Sequence, residues 1–302
     1  MEITHADNES LHRLRVCVIV ASICRGEEIG QLLDHLSFQT RPPSSIILSV
    51  ECQRDLPEKL DPHIEIVMGP RGLTAQRNRG LTRAIGQSDI IVFFDDDFVP
   101  CRDALENIAE LFKYNDDIVG ATGTVLRDGV KHGGLAHVEA VKIVSENDIS
   151  KTHEVVNLAT DYLYGCNMAI RTSAIGNLRF DEKLPLYAWQ EDVDFAGQLM
   201  AKGRIVKTSA FAGVHRGVNK GRSPGVPLGF SQIVNPVYLV RKGTMRSEKA
   251  IQLMLKNFLA NHAKMFRSES FIDRMGRSKG NWIGLWHIVQ GKCDPTKILN
   301  LH

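Results

Sequence analysis

The chain has 302 residues, 43% of them hydrophobic and 24% charged, and a formal net charge of +2. That length buries enough surface to fold without disulfide or metal staples, and no apolar run reaches the ~18 residues needed to cross a bilayer. The small net charge conceals an asymmetry: residues 201–302 hold 18 Lys and Arg against 4 Asp and Glu, which leaves 19 against 31 in residues 1–200. An anionic front and a cationic back call for a cationic and an anionic partner respectively. Residues 1–10 are polar and acidic, unlike a secretory signal, and the six cysteines (Cys17, Cys24, Cys52, Cys101, Cys166, Cys293) form no C-x-x-C pair. A cytoplasmic chain with reduced thiols is expected.

Residues 15–21 (RVCVIVA) read as a buried strand, and Ile29, Leu32, Leu33 and Leu36 fall on one face of a following helix. Arg41-Pro42-Pro43 ends it. Strands are expected at 45–50 and 64–68, a helix at 74–85, a fully apolar strand at 90–94 (IIVFF), a helix at 103–114 and a strand at 118–122. This alternation predicts a doubly wound, mostly parallel α/β sheet. The middle is less regular. A helix starts near Glu191 and runs to Ala201, with short apolar stretches at 205–209 and 211–214. Residues 216–229 (RGVNKGRSPGVPLG) read as a flexible loop, long enough to be a lid, that carries Lys220 and Arg222. Residues 248–266 form the clearest helix, with Ile251, Met254, Leu255, Phe258 and Leu259 on one face and Lys249, Lys256 and Lys264 away from it. That face packs on the rest of the chain or a second subunit, or lies on an anionic membrane. Trp282 and Trp286 fit either setting. No nucleic-acid motif accompanies the basic third.

Three adjacent carboxylates, Asp95-Asp96-Asp97, follow the IIVFF strand directly. Open α/β sheets bind ligands beyond the carboxyl ends of their strands. Their mutual repulsion is offset by a hard divalent cation, which takes carboxylate oxygens and shares substrate phosphates. In a loop, Asp95 and Asp97 reach one ligand while Asp96 points elsewhere. The alternatives are an acidic turn that solvates the strand end, or a phosphoryl-accepting pocket. The latter would want acids after the first strand, where Cys24-Arg25-Gly26-Glu27 stands. Glu191, Asp192 and Asp194 form a second acidic cluster that could simply cap a helix. Trp189 before it is a stacking ring or a core residue. His215, just ahead of the basic loop, is a structural histidine or a metal ligand.

Taken in order, these pieces resemble a family 2 glycosyltransferase with the GT-A fold. Residues 18–22 (VIVAS) with Arg25 resemble the loop under the nucleotide, and Ser49-Val50-Glu51 the acidic end of the second strand. Residues 76–80 (QRNRG) resemble the family's A-R-N-x-G helix, Asp95–Asp97 the metal motif, and residues 165–171 (GCNMAIR) the G-x-N-x-x-x-R strand. Phe180-Asp181-Glu182 with residues 191–195 (EDVDF) matches the F-D-E…E-D-x-D stretch. Two departures stand out: Ala21-Ser22-Ile23-Cys24-Arg25 replaces P-T-Y-N-R, and Glu51 replaces Asp. The resemblance implies a GT-A unit over 12–216 and a basic loop with a helical extension over 217–302 that serves as lid, acceptor contact or membrane contact. It implies Mn²⁺ or Mg²⁺ held by Asp97, Asp95 and His215, and a nucleotide-diphosphate sugar bound by Ala21, Ser22, Arg25, Glu51, Arg77, Asn78, Asp95 and Asp96. Arg77 either neutralises the diphosphate or pairs with the aspartate triplet. Asn167, Trp189 and Glu191 would meet donor sugar or acceptor, Lys220 and Arg222 would close over the phosphates, and Asp192 would be the base of an inverting hexosyl transfer. The acceptor class is a glycan or lipid-linked glycan of cell-surface polysaccharide synthesis, handled at the inner face of the membrane, with a homo-oligomer a further option. The alternative is a silent GT-A scaffold that binds nucleotide or glycan.

Overall fold

The protein is described by a computed structural model over residues 13–149, 155–218, 224–266 and 272–301. Its four leading strands are β1 (Val16–Ala21), β2 (Ser45–Val50), β3 (Glu65–Met68) and β4 (Ile90–Phe94). They lie parallel in the order β3-β2-β1-β4, with Ile19 facing Ile47 on one side and Phe93 on the other. β1 and β4 are flanked on both edges and covered on both faces, so nearly every side chain in them is apolar and buried. The remaining strands are β5 (Phe98–Pro100), β6 (Ile118–Asp128), β7 (Asn157–Ala159), β8 (Asn167–Arg171) and β9 (Arg204–His215).

β8 enters antiparallel between β4 and β6, while β6 and β9 pair in parallel. With β5 and β7 antiparallel to β9, six of the nine strands among the described residues run one way, the mostly parallel sheet expected. The strand expected at 118–122 extends to Asp128, and the stretches expected at 205–209 and 211–214 are one strand. Register shifts between β6 and β9 carry both past their apolar segments.

The helices are α1 (Gly26–Ser37), α2 (Leu73–Ala84), α3 (Ala104–Tyr114), α4 (His137–Ile149), α5 (Thr172–Ile175), α6 (Glu191–Leu199), α7 (Gly225–Lys242), α8 (Ser247–Lys264) and α9 (Arg274–Val289). α1 and α3 cover one sheet face with Ile29, Leu32, Leu36, Ile108 and Phe112; Leu81, Phe195 and Leu199 of α2 and α6 cover the other. Each such side chain contributes roughly 1.5–3 kcal/mol. α2 lies so close to β1 that a Cβ at Gly80 would sit 2.5 Å from Ile19 Cγ2. The loop expected at 216–229 is shorter, because α7 begins at Gly225. Pro227 stands in its first turn, where no intrahelical partner for an N–H is needed. Among the described residues, no helix is long and apolar enough to cross a membrane.

Candidate active site

Beyond Phe94 the chain turns sharply, with Phe98 N–H donating to the Asp95 carbonyl (3.0 Å), and the three aspartates diverge. Asp96 points towards the β1 loop, where Ser22 Oγ donates to it at 2.5 Å and Arg25 at 2.7 Å. Asp97 is buried and points the other way. β5 pairs with the end of β9, Phe98 opposite His215, and this sets the imidazole against the aspartate turn. His215 Nε2 lies 3.3 Å from Asp97 and 3.7 Å from Asp95. Ligand atoms of Asp95, Asp97 and His215 all fall within 4.8 Å of one another. The division expected for the triplet, two aspartates on one ligand and the third elsewhere, is what the geometry displays.

The second nitrogen of His215 is also engaged. Nδ1 lies 3.2 Å from Asp128 at the end of β6, and Tyr164 Oη donates to the other Asp128 oxygen at 2.9 Å. Sequence reasoning missed Asp128. It is an acid that orients a histidine and leaves Nε2 for the aspartates, a common support for metal-binding imidazoles. Burial alone would lower His215, but Asp128 and Asp97 prevail and hold it up at about 10. Burial likewise would raise Asp97, yet His215 and Arg25 hold it down at about 2. Asp96, its neighbour, is pushed up by burial to about 7 against the opposing charge of Arg25. Two carboxylates and an imidazole at this spacing fit a divalent cation of the magnesium or manganese kind.

Arg77 on α2 is completely buried beneath the turn. It donates to Glu191, to Asp95 (3.2 Å) and to the Gly165 carbonyl (2.8 Å), and its guanidinium lies over the Phe93 and Phe180 rings. Of its two expected roles, pairing with the aspartates is the one the contacts display. It links both acidic clusters. Burial pushes Glu191 up to about 8, with Arg77 opposing. Asp192 follows at the start of α6. Its carboxylate accepts from the Gly165 N–H (3.0 Å) and the Val193 N–H (2.8 Å), and burial raises its pKa. Asp194, third in the cluster, turns into the core and is held by Lys242 and Thr244.

On the β1–β2 side, Ala21 pairs with Ser49 and Glu51 is exposed beyond the end of β2. Two residues that sequence reasoning did not single out hold this side. Gln76 Nε2 donates to the Ser22 and Ser49 carbonyls, each at 2.8 Å. Asp55 accepts the N–H groups of Cys24, Glu51 and Cys52 at 2.8–3.0 Å. Burial would raise Asp55, but these amides outweigh it and lower its pKa. Asn78 and Asn167 face inward. Asn78 bonds Phe180 and Glu182, and Asn167, fully buried on β8, accepts from Thr122. Trp189 is half-buried, while Tyr187 is exposed within electrostatic reach of Asp95 and Asp192. Leu186, Ala188 and Gln190 all adopt left-handed φ values, 59°, 50° and 74°. Lys220 and Arg222 lie outside the described residues.

The family model for glycosyl transferase family 2 matches residues 17–179. No curated protein sequence matches the chain. Among solved structures, Staphylococcus aureus TarS 1-349 aligns with TM-score 0.55 at 14% identity, over 95% of this chain and 83% of that one. A mannosyltransferase from Pyrobaculum calidifontis, solved with GDP-Man and Mn²⁺, aligns with TM-score 0.53 at 16% identity, over 96% and 88%. GalNAc-T7 with UDP, GalNAc and Mn²⁺ aligns with TM-score 0.57 at 12% identity, over 95% of this chain but 57% of that one. At such identities the likeness speaks to fold alone, and the fold is GT-A. The family match itself spans more than half of the 302 residues, and the chain belongs to glycosyl transferase family 2.

Proposed function

We propose that the protein is a metal-dependent inverting glycosyltransferase that moves a hexosyl group from a nucleotide-diphosphate sugar to an acceptor hydroxyl. The observation that carries this reading is the convergence of Asp95, Asp97 and His215 beyond the carboxyl end of β4, beside a second acid pair, Glu191 and Asp192. The catalytic unit is residues 12–216, and residues 217–302 serve the acceptor side. Asp97, Asp95 and His215 would hold Mn²⁺ or Mg²⁺, the imidazole being better suited to Mn²⁺. When bound, the ion supplies positive charge to a diphosphate leaving group as its negative charge grows.

The protein's own residues do the rest. The nucleotide lies over the loops after β1 and β2, with Glu51 exposed to it. Ser22 and Arg25 act through Asp96, and Asp55 fixes both loops. Arg77 neutralises Asp95 and Glu191 from below, and Asn78 secures the segment that leads to them. Lys220 and Arg222, outside the described residues, are the proposed phosphate contacts. Asp192 takes the acceptor proton: each of its oxygens accepts one amide and keeps lone-pair capacity, and burial, by raising its pKa, makes it a better proton acceptor. Direct attack inverts the anomeric carbon. Glu191, Trp189 and the strand bearing Asn167 frame the sugar and acceptor. The acceptor is a glycan or lipid-linked glycan of cell-surface polysaccharide synthesis, met at the cytoplasmic face of a membrane.

The test is donor hydrolysis and transfer with Mn²⁺, after thermal-shift selection of the donor from a panel of nucleotide sugars. Wild type turns over and Asp192→Asn does not. Equal turnover by the variant removes Asp192 as base. Absence of turnover by wild type with every donor that binds favours the silent scaffold.

A further inference from the structure

Of the three C-terminal helices, α7 buries Phe230, Ile233, Val234 and Leu239, whereas α8 and α9 turn several large apolar side chains outward. The only residues of α8 buried from solvent are Ala250 and Asn261, and those of α9 are Ser278, Gly280, Asn281 and Gly284. Beside the apolar cluster of Phe230, Val234 and Ile283, their shared interior holds a chain of amides. Asn261 donates to Gln232 of α7 (2.8 Å) and to Asn281 of α9 (3.0 Å), and Asn281 donates to the Gly229 carbonyl (2.7 Å). The backbones of α7 and α9 nearly touch. A Cβ at Gly229 would lie 2.1 Å from the Arg277 carbonyl oxygen, and one at Gly280 would lie 2.1 Å from that of Val226. Several large apolar residues of α8 and α9 are outside. Ile251, Leu255 and Leu259 form an i, i+4, i+8 stripe on α8, and Trp282, Trp286 and Val289 line α9, all more than half exposed. Trp282 sets its edge against Phe258 (5.3 Å), so the two stripes meet in one face. Of the settings expected for this face, packing on the rest of the chain is not what the described residues show, since Ile251, Leu255 and Leu259 each stay more than half exposed.

Close small-residue packing with interior amides and outward apolar side chains is how helices associate in lipid, where apolar burial between helices yields no gain. Among the described residues, none of the bundle's helices is long and apolar enough to cross a membrane. The bundle lies within the most cationic third of the chain, and exposed Lys256 and Lys279 sit beside the stripes. Indole rings at such a rim suit the headgroup level. We infer that the α8–α9 face beds into the interfacial layer of an anionic bilayer, as a monotopic anchor that holds the acceptor side of the site at the membrane.

The bundle is fastened to that side. Asn235 of α7 donates to the Trp189 carbonyl (2.8 Å), and Lys242 bridges Asp181 and Asp194 at 2.7 Å each. The segment carrying Glu191 and Asp192 is therefore tied down at both ends by the anchored body. The inference rests on the proposed reading that the acceptor is lipid-linked.

The test is flotation of the full chain with phosphatidylcholine vesicles, with and without phosphatidylglycerol, alongside donor hydrolysis in solution. Wild type floats with the anionic vesicles and its tryptophan emission shifts to the blue. Leu255→Glu/Leu259→Glu and Trp282→Ala/Trp286→Ala each lower the bound fraction at least about tenfold, with melting temperature and solution hydrolysis unchanged. Three outcomes overturn the inference: wild type that hydrolyses donor but floats with neither vesicle at low salt; the Leu255/Leu259 variant floating as wild type does; or a dimer whose mass halves in that variant while no vesicle binding is seen. Flotation without hydrolysis instead strikes the proposed activity and upholds the membrane face.

Discussion

Under the sheet, Ile29, Leu32 and Leu36 of α1 close over Val18 and Val20; between α7, α8 and α9 the corresponding space holds Gln232, Asn261 and Asn281. The first region draws stability from removing hydrocarbon from water and keeps its charges at the strand ends, where they become a site. The second satisfies amides beside Phe230 and Val234 internally and leaves the apolar stripes of α8 and α9 outside. The difference teaches that exposure and hydrophobicity have to be read per region: an apolar side chain is core material over the sheet and contact surface on the bundle.

Substitutions at the strand ends should have the largest effect. Asp97→Ala removes a carboxylate shared by His215, Arg25 and the Val218 amide, and should lower donor turnover by about 10³-fold or more, read as Mn²⁺-dependent hydrolysis. Asp192→Asn should lower kcat by about 10²-fold or more while leaving the melting temperature within a few degrees, since an amide oxygen still accepts one N–H. Chemical denaturation compares the two interiors directly. Leu32→Ala over the sheet should cost about 2–5 kcal/mol, and Asn281→Ala in the bundle about 1–3 kcal/mol, from its lost bonds to Asn261 and the Gly229 carbonyl. A reversal of that order would break the contrast.

The smallest effect is a pH dependence at the junction between the regions. Burial would raise Asp181, but Lys242 and Tyr238 outweigh it and depress its pKa below 3.8. A depressed carboxylate contributes stability that is complete above its unfolded value and lost as pH falls through the lower folded one. Acid unfolding below about pH 4 should therefore be less steep in Asp181→Asn, as read by thermal melts across that range.

The site was legible where its residues are local to a strand end. Asp95–Asp97 follow an apolar strand in sequence, and their divergence on to two different partners follows from alternation along an extended turn. Arg77 and Asp192 sat in motifs whose order was informative. Asp128 and Asp55 were not legible, because each acts on a group brought near only by tertiary pairing: His215 through the β6–β9 ladder, and Cys24 through the β1–β2 contact. Strand direction was invisible too. β8 has the same apolar pattern whether parallel or antiparallel, since side-chain alternation carries no polarity. For α8, periodicity locates an apolar face but not what that face meets. The answer came from glycines and amides on α7 and α9, at positions far along the chain.

The alternating left-handed residues Leu186, Ala188 and Gln190 set a trade between durability and turnover. Each L residue in that region costs about 1–2 kcal/mol relative to a relaxed conformation. Glycine at all three positions would relieve the torsional penalty, yet it would also free the hinge that aims Trp189, Glu191 and Asp192. A selection for heat resistance alone would drift towards glycine here and shed catalytic efficiency along the way, whereas a selection for transfer would keep the strained segment and accept a lower melting temperature.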